Sequence, residues 1–361
     1  MVQPSFLSSA ANSSHVYDQL QFSAYYIQMT FLLNLVCSLG ISIYGFSALA
    51  NTIVCLVFFL DGFKSTSNIS FFALGITDVL MSIIWALFNV RVHSKLGKPF
   101  YDLFKVEVWK YLIVCADALG SSGSWITAII TWERLCCIAF PLKVKRIFTR
   151  KLIMSLILGG LVFQVLAMTF YLVADHKLQQ GYKEEVYVFY IDGKYYNKTE
   201  IVPTGSSTML YISRLLLTSI PNYVLYAAIV IGTALLIAVF LRSVQRKKSL
   251  TSVAGPEGMT TKEKKLVLSV IAICMVYIVT CTPRNVYFTL LALIGEDISL
   301  PSAYQILSQG SIDIMLSLNP ALNIFVYLGV NSSFRRQIRK LLCFCCYVEP
   351  PTTSIKTLSV K

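Results

Sequence analysis

Charge is scarce in this chain. Only 14% of its 361 residues are acidic or basic, while 56% are apolar; an average globular chain carries about 25% charged residues. That balance excludes a disordered protein and argues against an ordinary soluble domain. Histidine is scarcer still. His15, His93 and His176 are the only three, which leaves a zinc module almost no raw material. All three fall outside the apolar runs, so neither a His-metal centre nor a Ser-His-Asp set is expected inside them, and no enzyme is expected. The two halves show no internal repeat, which removes one pointer to a transporter. The net charge of +13 is the one feature that suggests nucleic acid, and the placement of the charges argues against that partner.

What the chain has is long apolar runs. From Gln19 to Leu60 no residue is acidic, basic or histidine, and about 20 predominantly apolar residues suffice to cross a bilayer as a helix. Seven spans are read near 33–60, 68–90, 109–135, 152–174, 209–241, 266–294 and 303–328. The expected fold is all-α, a polytopic membrane protein with a seven-transmembrane-helix bundle over 33–330. The loops on the amino-terminal side hold nine Lys and Arg, against twenty in the other loops and the tail. Positive loops stay in the cytoplasm. The orientation that follows has residues 1–32 as an extracellular segment and 331–361 as a cytoplasmic tail, with no cleavable signal peptide at the start. Asn12 and Asn197 open glycosylation sequons on the outer side. In the tail, Phe334, Ile338, Leu341 and Leu342 alternate with Arg and Lys, the pattern of a short amphipathic helix over 334–342 lying on membrane lipid. Cys343, Cys345 and Cys346 follow it, where palmitoyl chains would anchor it or where they would remain plain structural thiols.

Ionisable groups at bilayer depth cost on the order of 2.5–3.5 kcal/mol each by insertion scales and mark function by default. Here they are Asp78, Asp117, Arg214, Arg284 and Asp313, with Glu133 and Arg134 at the inner end of the third span. Asn51, Asn319 and Asn323 add amides. Asp78 with these three amides makes a mid-membrane polar cluster able to hold water or a sodium ion. Asp117, Arg214, Arg284 and Asp313 fall in outer halves of their spans and are expected to line a ligand cavity; two guanidinium groups there suit a carboxylate. The competing reading is an Arg284–Asp313 bridge with no ligand role. At the inner side Arg134 has Glu133 and Glu263 as possible partners, and a pair that breaks when the sixth span moves would be a two-state element.

Taken together, these residues resemble the rhodopsin-like G-protein-coupled receptors over about residues 30–345. The likeness rests on Asn51, on Leu74 with Asp78, on Glu133-Arg134-Leu135 followed by Pro141-Leu142, on Pro283, and on Asn323 to Tyr327 followed by Phe334-Arg335-Arg336. More narrowly, SWITAIITWERLCCIAFPLKVK and NIFVYLGVNSSFRR resemble the chemosensory receptor-like families of molluscs. The resemblance implies a plasma-membrane receptor that binds an extracellular small molecule or peptide and activates a heterotrimeric G protein. A neuropeptide receptor of the same fold is the nearer alternative, and a transporter or channel the more distant one. It also implies a switch region at Tyr277, Cys281 and Pro283, and G-protein contacts at Arg134, Pro141, Leu142 and Glu263. The chain departs from the family at several places. Leu135 stands for the usual Tyr, Ile324 for the span-seven proline, and Cys281 for the span-six Trp. Asn319-Pro320 offers a second span-seven register. Trp109 stands where the family has a disulfide cysteine, so the loop from Asp175 to Thr208 is expected to be unstapled.

Overall fold

The structure is a computed structural model. It describes residues 5–63, 65–93, 106–179, 182–191, 194–203, 220–250, 261–294, 302–330 and 332–342. Nine helices occur among them: α1 (Ser5–Asp61), α2 (Thr66–Val92), α3 (Val106–Ala139), α4 (Pro141–Ile147), α5 (Arg150–Gln179), α6 (Ile220–Leu250), α7 (Thr261–Ile294), α8 (Ser302–Val330) and α9 (Ser332–Leu342). An antiparallel hairpin, β1 (Tyr182–Ile191) with β2 (Lys194–Pro203), joins α5 to α6. Seven helices are long and apolar enough to cross a membrane: α1, α2, α3, α5, α6, α7 and α8. The chain is a multi-pass membrane protein built as a seven-helix bundle.

The sequence pattern sets where these helices run. The first span is Thr30–Asp61, yet α1 extends back to Ser5, so the amino-terminal segment continues the helix beyond the membrane-spanning stretch. Asp61 ends the run, and Gly62 at φ +76 makes the tight turn that a side chain would strain. Ser65 then caps α2 by accepting from the Asn68 amide at 3.2 Å, while the Asn68 side chain donates back to the Gly62 carbonyl at 2.9 Å. Pro141 sits in the first turn of α4, a position where its missing N–H is no loss.

The membrane helices form a ring in the order α1, α2, α3, α6, α7, α8, with α5 outside against α3 and α2. α3 also reaches α7 across the ring, and it is the most buried of the seven spans, α5 the least. Small residues set the closest approaches. A Cβ added at Gly160 of α5 would run into the Trp125 ring of α3, and the Trp125 indole donates to the Leu156 carbonyl at 2.9 Å. Large apolar side chains such as Phe46, Leu49, Phe163, Phe170 and Val279 remain exposed along the outside, a face that lipid covers.

Ala at an exposed helical Gly ordinarily stabilises by about 0.8–1 kcal/mol. At Gly160 it must displace Trp125, and we expect Gly160→Ala to lose about 1–3 kcal/mol, read as a lower thermal midpoint in detergent. Gly159→Ala, where nothing lies within 4 Å, is expected to be neutral or stabilising.

Candidate functional site

The polar residues of the spans fall into three levels. Level one is near the end of the bundle where α1 enters, here called the N-terminal face. Arg284 of α7 pairs with Asp117 of α3 at 3.8 Å, both side chains part-exposed at 38% and 50%. Asp313 of α8 lies in the electrostatic field of both, and the Tyr44 hydroxyl donates to the Asp313 carbonyl at 3.1 Å. Three of the four expected cavity residues therefore fall at one level, and the ion pair formed by Arg284 is with Asp117. Arg214 lies outside the described residues. An ion pair this long and this wet contributes little to stability and can exchange partners.

Level two is the middle of the bundle. Asn323 donates to Asp78 at 3.0 Å, joining α8 to α2. Asn51 donates to the Pro320 carbonyl at 2.9 Å and to the Ser47 carbonyl at 3.0 Å, joining α1 to α8, and the Ser47 and Ser82 hydroxyls share a hydrogen bond at 2.8 Å. Asn323, not Asn319, is the amide that reaches Asp78. Tyr327, one turn on, packs among Phe58, Phe71 and Phe334 with ring centroids 5.3–5.4 Å away. Asn323 Oδ1 is buried beside the carboxylate with no partner among the described residues. An orphan acceptor next to a carboxylate suits a small hard cation such as sodium, or a water. No group of three or more His, Cys, Asp or Glu converges among the described residues.

Level three is the opposite, C-terminal face. Glu133 and Arg134 are buried at 1% and 9% exposure and pair at 2.8 Å. Both are also held by the first turn of α2, where the Thr66 hydroxyl donates to Glu133 and Arg134 donates to Ser67 Oγ. Glu133 Oε2 and Arg134 Nε find no partner among the described residues, a costly state for buried charged groups. The Arg134 partner is Glu133; the Glu263 side chain lies outside the described residues, although its backbone opens α7. Pro141 and Leu142 open α4, with their side chains outside the description. α9 is anchored by buried Phe334, and Arg335 donates to the Leu328 and Gly329 carbonyls at 2.7 and 2.8 Å. Asn12 lies on α1 and Asn197 on β2; their side chains are not described, and Cys343, Cys345 and Cys346 fall beyond the described residues.

No protein-family model and no curated protein matches the chain. The site therefore stands on its own geometry.

A polar ladder between α3 and α7 runs from level one toward level three. Arg284 meets Asp117. The Tyr277 hydroxyl donates to Ser124 at 2.8 Å. Cys274 meets Thr131 at 3.0 Å. On α3 the rungs recur every seventh residue, so they lie on one stripe, which ends one turn before Arg134. Cys281 is buried within α7, and Pro283, inside the helix, removes a backbone donor immediately below Arg284 and leaves α7 easier to bend. Ser124, Thr131, Thr66 and Ser67 were not singled out by their sequence, since lone hydroxyls in apolar helices usually bond their own preceding turn.

Ser124→Ala and Tyr277→Phe remove the same bond. A double-mutant cycle on thermal unfolding should then show a coupling of about 0.5–1.5 kcal/mol; strictly additive effects would show that the rung carries no energy.

Proposed function

We propose that the chain is a rhodopsin-like G-protein-coupled receptor of the plasma membrane, with its amino terminus outside and its tail in the cytoplasm. It binds an extracellular chemical ligand and activates a heterotrimeric G protein, in a chemosensory role. The observation that carries this reading is the α3–α7 ladder. It runs from an exchangeable ion pair at one face to a buried, incompletely satisfied Glu133–Arg134 pair near the other. A transporter needs a path for solute; a receptor needs a link between two faces, and the ladder is such a link.

A ligand carboxylate offers Arg284 a bidentate partner in place of Asp117. Because Arg284 follows Pro283, drawing it toward a ligand bends α7 where the helix is weakest. That motion strains the Tyr277–Ser124 and Cys274–Thr131 contacts and biases the C-terminal face. There, release of Arg134 from Ser67 exposes a guanidinium to the G protein, with Pro141 and Leu142 beside it. Ligand and G protein then favour the same arrangement, as coupling between two sites requires.

The test is nucleotide exchange on purified heterotrimers by the receptor in nanodiscs, screened against small acids, amino acids and peptides. Arg284→Ala should abolish the response to a carboxylate ligand at normal surface expression. Ser67→Ala removes a hydrogen bond to a charged group, worth about 1.5–3 kcal/mol, and should raise basal exchange by about tenfold or more. Solute flux without any exchange activity would instead identify a transporter or channel.

A further inference from the structure

A second site lies apart from the ladder. At the N-terminal face, between α1 and the end of α2, a crevice of about 310 Å³ is lined by Phe31, Asn34, Leu35, Ser38 and His93. This is at the small end of ligand-sized pockets, roughly 300–1,000 Å³, and too small to enclose a two-chain phospholipid. His93 is placed there by capping α2, its backbone N–H on the Asn89 carbonyl at 3.0 Å.

The polar atoms form a directed chain. The Ser38 hydroxyl donates to the Asn34 carbonyl at 2.7 Å, so its proton is committed. His93 Nε2, 3.1 Å from Ser38 Oγ, is therefore the donor in that contact, a tautomer assigned from the network. Ser38 Oγ, which lines the crevice, retains a second lone pair. None of the five lining residues is Lys, Arg, Asp or Glu, so a charged head group would meet no counter-ion among them.

Depth narrows the occupant further. Asp61 ends the first span, and Ser38 stands about 35 Å from it along α1 at ~1.5 Å per residue. The hydrocarbon layer is about 30 Å thick, which puts Ser38 and His93 at the opposite membrane–water boundary, where the hydroxyl of a sterol sits. Leu35 and Leu39 on the same helix are exposed at 45% each, and Phe31 at 67%. They offer an apolar wall to a flat body, which loses little conformational freedom on packing.

We propose that this crevice binds a neutral, hydroxyl-bearing membrane lipid of the sterol class. The lipid hydroxyl donates to Ser38 Oγ, and its ring system lies against α1. The site is separate from the Asp117–Arg284 ion pair and stands whether or not the receptor assignment holds.

The experiment uses the full chain in phosphatidylcholine nanodiscs with a diazirine-bearing cholesterol probe, adducts being mapped by peptide mass spectrometry. Adducts should concentrate on residues 31–38 and around His93 and be competed by cholesterol. Ser38→Phe, which fills the crevice from an exposed position, and a probe capped as its methyl ether should each lower that labelling about three- to tenfold, the worth of one or two hydrogen bonds. Leu49→Phe, exposed on α1 outside the crevice, should leave it unchanged. Labelling spread over all seven helices, or indifferent to both Ser38→Phe and capping, would overturn the proposal. Stronger competition by oleate than by cholesterol would overturn it too, since it would assign the site a charged head group.

Discussion

Side chains that carry charge or hydrogen-bonding groups into a lipid-embedded bundle must find partners in other helices, because no bulk water reaches them. That constraint organises this protein. Asp78 meets Asn323, Asn51 meets the Pro320 carbonyl, and Glu133 and Arg134 meet each other and the start of α2. The first two contacts join helices that are distant in the chain, and the third ties α3 to the start of α2. Together they set which face of α1, α2, α3 and α8 turns inward, leaving the large apolar residues to lipid.

The same constraint makes the bundle adjustable. Apolar packing between helices and lipid is nearly indifferent to small rotations, since lipid tails are as apolar as leucine. The polar contacts are therefore the specific terms that distinguish one arrangement from another. Some are well satisfied, as at Asn51. Others are left incomplete: Asn323 Oδ1, Glu133 Oε2 and Arg134 Nε are buried without partners among the described residues. Incomplete satisfaction raises the energy of the observed arrangement and favours any second arrangement, ion or partner that completes it. The two interior prolines mark where the movement is easiest, one beside Arg284 and the other at the Asn51 contact.

Much of this was legible in the residues. Apolar run length alone placed the seven spans, because the hydrocarbon thickness sets a minimum length that few soluble helices reach. The ionisable residues inside them were visible as exceptions to that apolarity, and three of the four assigned to one cavity fall at one level. The partners were less legible. Arg284, weighed against Asp313 as a bridge with no ligand role, pairs with Asp117; of the two carboxylates open to Arg134, the adjacent Glu133 pairs with it, and the Glu263 side chain lies outside the described residues. Of the two span-seven amides, Asn319 and Asn323, it is Asn323 that contacts Asp78, a choice set by helix rotation.

Composition by itself determined that the chain carries seven runs long and apolar enough to cross a membrane and which polar groups they carry inside, since both follow from local hydropathy. Only the tertiary structure decided which helix faces which. It brought Ser124 to Tyr277, Thr131 to Cys274 and Trp125 onto Gly160, and it built a crevice from Ser38 and His93, 55 positions apart. Such pairings depend on helix rotation and tilt, which arise from the sum of many interhelical contacts that no single segment encodes.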